Sequence, residues 1–330
     1  MARKRRRPMN VFFGRGSSAE RLFRECAGPI SEAIVPGIQP TPAHDLKNHG
    51  GKIIQNLRFM NFYVGADAWN PDDMANIDKA LAGAMSDRNL NNVMVQYFSG
   101  PISSRFDGSQ KLPGPAPAIM SQGDVEQLVN TLYTQKKFGG RDLTATVFNF
   151  LLPPRTVLNT DSTTTGGLRK NSGVRNRLVI PHDEDDSLHG LGGYHGSVHV
   201  SPTDTVYYSI GVYSETEADG TVNGIPVFDE PWKNVVATFY HELNEARTDA
   251  DVEDAIRAGN DPNAESFLGW TSDQGEECGD FPVFEAGNDL TEVFKEVELA
   301  DNSGSVPVQF QYSNAVHGPE GPIAQPHSKR

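Results

Sequence analysis

The strongest apolar periodicity in the chain lies in PWKNVVATFYHELNEART, where Val235, Val236, Phe239 and Leu243 recur at helical spacing. That spacing predicts a helix with one face in a core. Strand patterns stand around it. Residues 57–64 (LRFMNFYV) alternate and are rich in aromatics, 92–98 (NVMVQYF) read as the next strand, and 144–152 (TATVFNFLL) form a nearly continuous apolar run suited to a central position. Residues 194–213 predict two strands joined by a turn at 202–204, with His195, Ser197 and His199 on one face because side chains alternate along a strand.

Two further helices follow from end signals. Asn70 is placed to cap a helix that has Pro71 at its first position, two acids in its first turn, and continues through IDKALAGAM. SQGDVEQLVNTLYTQKKFGG predicts another, with Ser121 as the cap and Gly139 closing it. Residues 99–117 and 153–193 read as loops. The acidic stretch PHDEDDSLHG in the second of these is either a calcium-binding loop without EF-hand spacing or a solvated loop. NDLTEVFKEVELADN predicts a short helix and VPVQFQYSNAVHGPEG a last strand. Residues 1–51 read as a poorly ordered or peripheral leader in which His44 and His49 are surface histidines without a role. Residues 52–317 read as a single domain and 318–330 as a disordered tail; there is no internal repeat.

Composition narrows the classes. The chain has 330 residues, enough to bury a sizeable core, and its 32 glycines and 22 prolines suggest a loop-rich globular protein. A net charge of −14 argues against nucleic-acid binding, which needs an excess of Lys and Arg, and the basic run at residues 3–7 reads as a solvated tail. Cys26 and Cys278 are too few for a disulfide framework or a cysteine zinc site; one long-range bridge stands beside two free thiols. The start of the chain lacks the apolar run of a signal peptide, and no run of eighteen apolar residues predicts a membrane span. Oligomeric state is open.

The candidate chemistry sits on the first helix. His241 and Glu245, four apart, project from one side of it, with Glu242 beside them. In H-E-x-x-H, two histidines one turn apart hold zinc and the Glu takes a proton from the water there. Here Glu245 replaces the second histidine, giving H-E-x-x-E, so a carboxylate is the second ligand and a third must come from elsewhere. GEECGD, beginning at Gly275, offers it: Glu276 and Asp280 reproduce the Glu-x-x-x-Asp of gluzincin-type zinc peptidases, where the Glu binds metal and the Asp orients the first histidine. Glu277 competes with Glu276 for the ligand role. The plain alternative is an acidic solvated helix face. Against it, VVATFY leads directly into HELNE, and ionisable groups on a buried helix are costly unless paired or on a metal.

The blocks GYHGSVHV, ATFYHELNEARTDADV, GWTSDQGEECGD and VQFQYSN, in this order, resemble those of the plant exordium or phosphate-induced protein family and its bacterial and fungal relatives, and NFYVGADAW is similar to the family's first strand and turn. The resemblance spans residues 55–317. It marks His195, His241, Glu242, Glu245, Trp270, Glu276 and Asp280, while Phe281-Pro282 stands where the family carries Cys and Ala250 where it carries Pro. It implies export and links to growth signalling and the cell wall.

The predicted element order β-α-β-α-β-β-β-α is that of a zincin-like α/β (α+β) domain: a mixed twisted sheet with the motif helix packed beneath it. The expected function is a zinc-dependent metallohydrolase, peptidase-like, acting on a peptide or cell-wall-associated substrate. His241, Glu245 and Glu276 would bind the metal, with Glu242 as general base, Asp280 orienting His241, and His195 stabilising the oxyanion or adding a ligand. Glu277, His199 and Trp270 are further candidates. One histidine with two carboxylates makes a hard site, tolerant of divalent ions other than zinc. The alternative is a non-catalytic, exordium-like binding or signalling protein on the same scaffold.

Overall fold

A computed structural model describes residues 39–160, 186–259, 261–286 and 289–327, and the backbone of 11–13. Its centre is a six-stranded mixed sheet. In chain order the strands are β1 (Val11–Phe13), β2 (Asn56–Tyr63), β3 (Ser103–Lys111), β4 (Thr146–Leu151), β5 (Leu191–His199) and β6 (Thr205–Gly211). In space the order is β1-β5-β6-β4-β2-β3. β3, β2, β4 and β6 run parallel, and β5 runs antiparallel to both β6 and β1.

Six helices dress the sheet among the described residues: α1 (Pro71–Ser86), α2 (Arg88–Met94), α3 (Gln122–Thr134), α4 (Pro231–Thr248), α5 (Val252–Ala258) and α6 (Asp280–Glu285). Alternation in the strands sorts the core into two layers. Phe59, Tyr63, Val147, Leu151 and Tyr207 pack with α1 and α4 on one face. Met60, Phe62, Phe148, Phe150, Tyr208 and Ile210 pack with Val125, Val129 and Leu132 of α3 on the other. The N-caps are those the sequence calls for, whereas α3 ends at Thr134 with Gln135 as its C-cap, short of the expected Gly139. Asn70 accepts the Asp72 N–H at 2.9 Å, and Ser121 forms a reciprocal capping box with Asp124.

α4 is enclosed on every side: each residue from Asn234 to Thr248 is buried. It runs under β5 and β6 and also packs against a hairpin of β7 (Phe294–Glu298) and β8 (Ser305–Gln309). Its polar side chains are therefore out of water, and the sheet meets them with a polar row of its own. Asn61, Asn149, Ser209 and His195 are consecutive register partners on neighbouring strands and share the α4 face. Ser209 donates to Asn149 Oδ1 at 2.7 Å, Asn149 to Asn61 Oδ1 at 2.8 Å, and Asn61 to Asp78 of α1 at 2.8 Å.

Several expectations are corrected. Residues 92–98 are the end of α2 and a 3-10 turn, not a strand: the Asp87 carboxylate accepts the Leu90 N–H, and Leu90, Val93, Met94 and Tyr97 are buried at helical spacing. The missing parallel strand is β3, inside the expected loop at 99–117; as an edge strand with mostly polar residues it carries no apolar run to reveal it. Within NDLTEVFKEVELADN, Leu290–Glu292 is a 3-10 turn followed by β7, which is paired with β8. The stretch from Gly318 is ordered at least in part. Gly318–Glu320 pairs with Gln311–Ser313, and Asn92 donates to the Ile323 carbonyl at 2.8 Å. Likewise, Pro42–His44 and Lys47–Asn48 are formed elements, the latter paired with Trp270–Thr271. The basic run, Cys26 and residues 181–185 of the acidic loop lie outside the described residues; Cys278 is a buried free thiol. Among the described residues no helix is long and apolar enough to cross a membrane.

Candidate metal centre

Three segments converge beneath β5. α4 brings His241, Glu242 and Glu245, with Asp249 just past its end; β5 brings His195; the turn into α6 brings Glu277 and Asp280. All seven side chains are buried, the most exposed being Asp280 at 6%. Glycines allow the approach. A Cβ on Gly279 would stand 2.2 Å from His241 Nδ1 and 2.9 Å from Glu245 Oε1, and one on Gly193 would stand 3.1 Å from Glu242 Oε1.

Glu245 is the hub. Its Oε2 lies 3.0 Å from His241 Nε2 and 3.8 Å from His195 Nδ1, while its Oε1 accepts the Gly279 N–H at 3.0 Å. His195 Nδ1 is also 3.4 Å from Glu242 Oε2, and His195 Nε2 lies 3.2 Å from the Asp249 carbonyl and 3.5 Å from Glu277 Oε1. Two sets have ligand atoms within 4.8 Å of one another: His241, Glu245, Asp280 and His195, Glu245, Glu277.

The electrostatics are one-sided. Burial, then the neighbouring carboxylates of Glu245 and Asp280, pushes Glu242 well above the usual carboxylate range. Glu277, Asp280 and Asp249 are raised as well, by burial first and then by neighbouring carboxylates, Glu245 among them in each case. Burial lowers His195 to about 4, so at neutral pH it is an uncharged imidazole, a ligand rather than a counter-charge. Among the described residues no Lys or Arg forms an ion pair with Glu242, Glu245, Glu277 or Asp280. Arg247, fully buried on the same helix, is turned away toward the Gln55 and Ser103 carbonyls and the Asn91 side chain.

A divalent cation fits this donor set. Glu242 Oε1 and both Glu277 oxygens are buried and accept no hydrogen bond. Such orphaned acceptors cost about 1–3 kcal/mol each, more when charged, and cation binding removes the cost.

The placement differs from expectation at two residues. Glu276 is not among the clustered ligands: its carboxylate accepts from Ser272 Oγ and lies 3.0 Å from Nδ1 of His44, whose ring stacks on Phe281 at 3.5 Å. Glu277, the competitor, faces His195 instead. His44 is consequently a half-buried partner of Glu276 rather than a surface residue without a role. The orienting contact expected of Asp280 is made by Gln309, whose Oε1 lies 2.6 Å from His241 Nδ1, while Asp280 Oδ2 accepts the Glu277 N–H at 2.8 Å. Gln309 lies in the VQFQYSN block, but nothing in its residue type announced the contact.

His199 is at the exposed end of β5, paired with Asp254 at 2.9 Å. Trp270 packs edge-on against Tyr97, outside both ligand sets. Comparisons with protein-family models, curated proteins and solved structures give no match to this chain.

Proposed function

We propose that the chain is a metallohydrolase of zincin-like, peptidase-like type, with a divalent cation held by His241, Glu245 and Asp280. The observation that carries this reading is the convergence of those three buried side chains with Glu242 one residue along the helix, its Oε1 without a hydrogen-bond partner. A mixed sheet, an antiparallel strand bordering the motif helix, and the helix lying beneath it support the zincin-like comparison. The ordered sequence blocks support kinship with the exordium-like proteins. A bound zinc or similar ion would supply Lewis acidity and acidify a nearby water.

The chain's own residues carry the remaining work. Gln309 accepts the His241 Nδ1 proton, which leaves the Nε2 lone pair toward Glu245 Oε2. Glu242 presents Oε1, free of hydrogen bonds, as the oxygen to take up a proton, with its other oxygen next to His195. Its raised proton affinity suits a group that accepts a proton and returns it to a leaving amine. His195, neutral, is placed to stabilise a developing oxyanion or to add a ligand. Peptides and cell-wall-associated polymers are the substrates to try.

One observation favours a second reading, a non-catalytic binding or signalling protein with a structural cation. Structural sites are closed and catalytic ones keep an open position, and here His195, His241 and Glu242 show 0% exposure.

Two measurements decide: metal content of the purified protein with its melting temperature before and after chelation, and hydrolysis of a peptide library by wild type against Glu242→Gln. Bound metal and hydrolysis lost in the variant are expected. Bound metal without Glu242-dependent hydrolysis selects the second reading. Absence of metal, with a melting temperature indifferent to chelator, sinks both.

A further inference from the structure

We propose that the centre is dinuclear: His195, Glu245 and Glu277 form a second divalent-cation site that shares Glu245 with the first. The inference rests on the reading that the His241, Glu245, Asp280 set holds a cation, and it adds a site that this set does not need.

Three observations carry it. The first is Glu277. Its carboxylate is fully buried, neither oxygen accepts a hydrogen bond, and Oε1 lies 3.5 Å from His195 Nε2. Its backbone N–H is fixed to Asp280 Oδ2 at 2.8 Å, so one turn carries a donor for each of the two sets. A cation at the first set alone would leave Glu277 unmatched.

The second is Glu245. A single oxygen, Oε2, stands between two imidazoles, 3.0 Å from one and 3.8 Å from the other, while the Gly279 N–H holds Oε1. A carboxylate placed between two nitrogen donors can serve cations on both sides, the arrangement two-metal sites exploit. The third is the lack of a counter-charge. Among the described residues no Lys or Arg forms an ion pair with Glu245, Glu277 or Asp280, so the buried carboxylates of the two sets face histidines and one another, an arrangement that is costly without cations.

Each set offers one imidazole and two carboxylates, a donor mix suited to Zn²⁺, Mn²⁺ and Fe²⁺.

The test uses the full chain, stripped with chelator and reloaded with Zn²⁺ or Mn²⁺, with bound metal measured by elemental analysis. Wild type is expected to hold two equivalents, Glu277→Gln one, and the Mn²⁺ form to give the electron paramagnetic resonance spectrum of an exchange-coupled pair. One equivalent in wild type, retained in Glu277→Gln and lost in Asp280→Asn, overturns the second site and leaves the first standing. Two equivalents with the six-line signal of isolated ions overturn the sharing of Glu245. No bound metal removes this proposal together with the reading beneath it. Should Glu277→Gln fail to fold, the wild-type stoichiometry and spectrum decide alone.

Discussion

Gln309 Oε1 lies 2.6 Å from His241 Nδ1, and this contact sets which nitrogen of the imidazole faces the carboxylates. The amide is itself fixed, because its Nε2 donates to the Gly279 and Phe310 carbonyls at 3.0 and 2.6 Å. Removing such a supporting partner typically weakens metal binding by 10- to 100-fold. Gln309→Leu is therefore expected to lower cation affinity by about that factor in a chelator-competition titration. An unchanged affinity would show that the ring is held by something else.

Gly279 is required for the space it leaves rather than for its backbone angles. A methyl group there would meet His241 Nδ1 at 2.2 Å and Glu245 Oε1 at 2.9 Å, closer than side chains pack. Gly279→Ala is expected to cost about 1–3 kcal/mol in urea unfolding and to lower the bound-metal stoichiometry, because helix and turn must separate. Stability and metal content both at wild-type values would mean that the turn adjusts freely.

Glu253 on α5 makes part of the stability pH-dependent. It is buried under β5, accepting the Ser197 N–H at 3.1 Å with the Arg257 guanidinium at 2.9 Å. Burial outweighs that guanidinium and pushes the carboxyl up to about 7, above the ordinary 4.5 of a glutamate. The folded state thus binds the proton more tightly than the unfolded state, so the contribution is fully present below about 4.5 and is lost as pH rises through about 7. Wild type minus Glu253→Gln should show stability falling with pH across that window, by at most about 1.4 kcal/mol per unit. A flat difference contradicts the assignment.

The polar row across the sheet should behave as a unit. Asn149 both accepts from Ser209 and donates to Asn61, so Asn149→Ala leaves two buried groups unmatched. The expected loss is about 1–3 kcal/mol for each group left unmatched, so Asn149→Ala should cost about twice as much as Ser209→Ala, which leaves only Asn149 Oδ1 unmatched, measured by chemical denaturation. Equal losses for the two variants would indicate that water repairs the row.

Sequence and structure agree best where local physics is strong. The capping residues Asn70 and Ser121, the apolar run of β4 and the paired strands β5 and β6 all declared themselves, because each signal is read within a few neighbouring residues. β3 did not, since an edge strand needs no apolar run, and α2 was mistaken for a strand because MVQY reads as well at period two as at helical spacing. The site was legible in its parts. A histidine and two glutamates on a helix with an apolar flank point to ligand chemistry from the sequence alone.

The amino-acid order alone determined that helix, its three ionisable groups and the presence of an acidic turn downstream. Only the tertiary structure decided which acid of that turn looks inward. The helix α6 begins at Asp280, so the one-turn relationship between Glu276 and Asp280 never forms, and the irregular backbone before it sends Glu276 to His44 and Glu277 to His195. Neighbouring residues outside regular structure have no periodicity to fix their directions. Contacts with remote segments choose for them, and Gln309, far along the chain from His241, entered the site for the same reason.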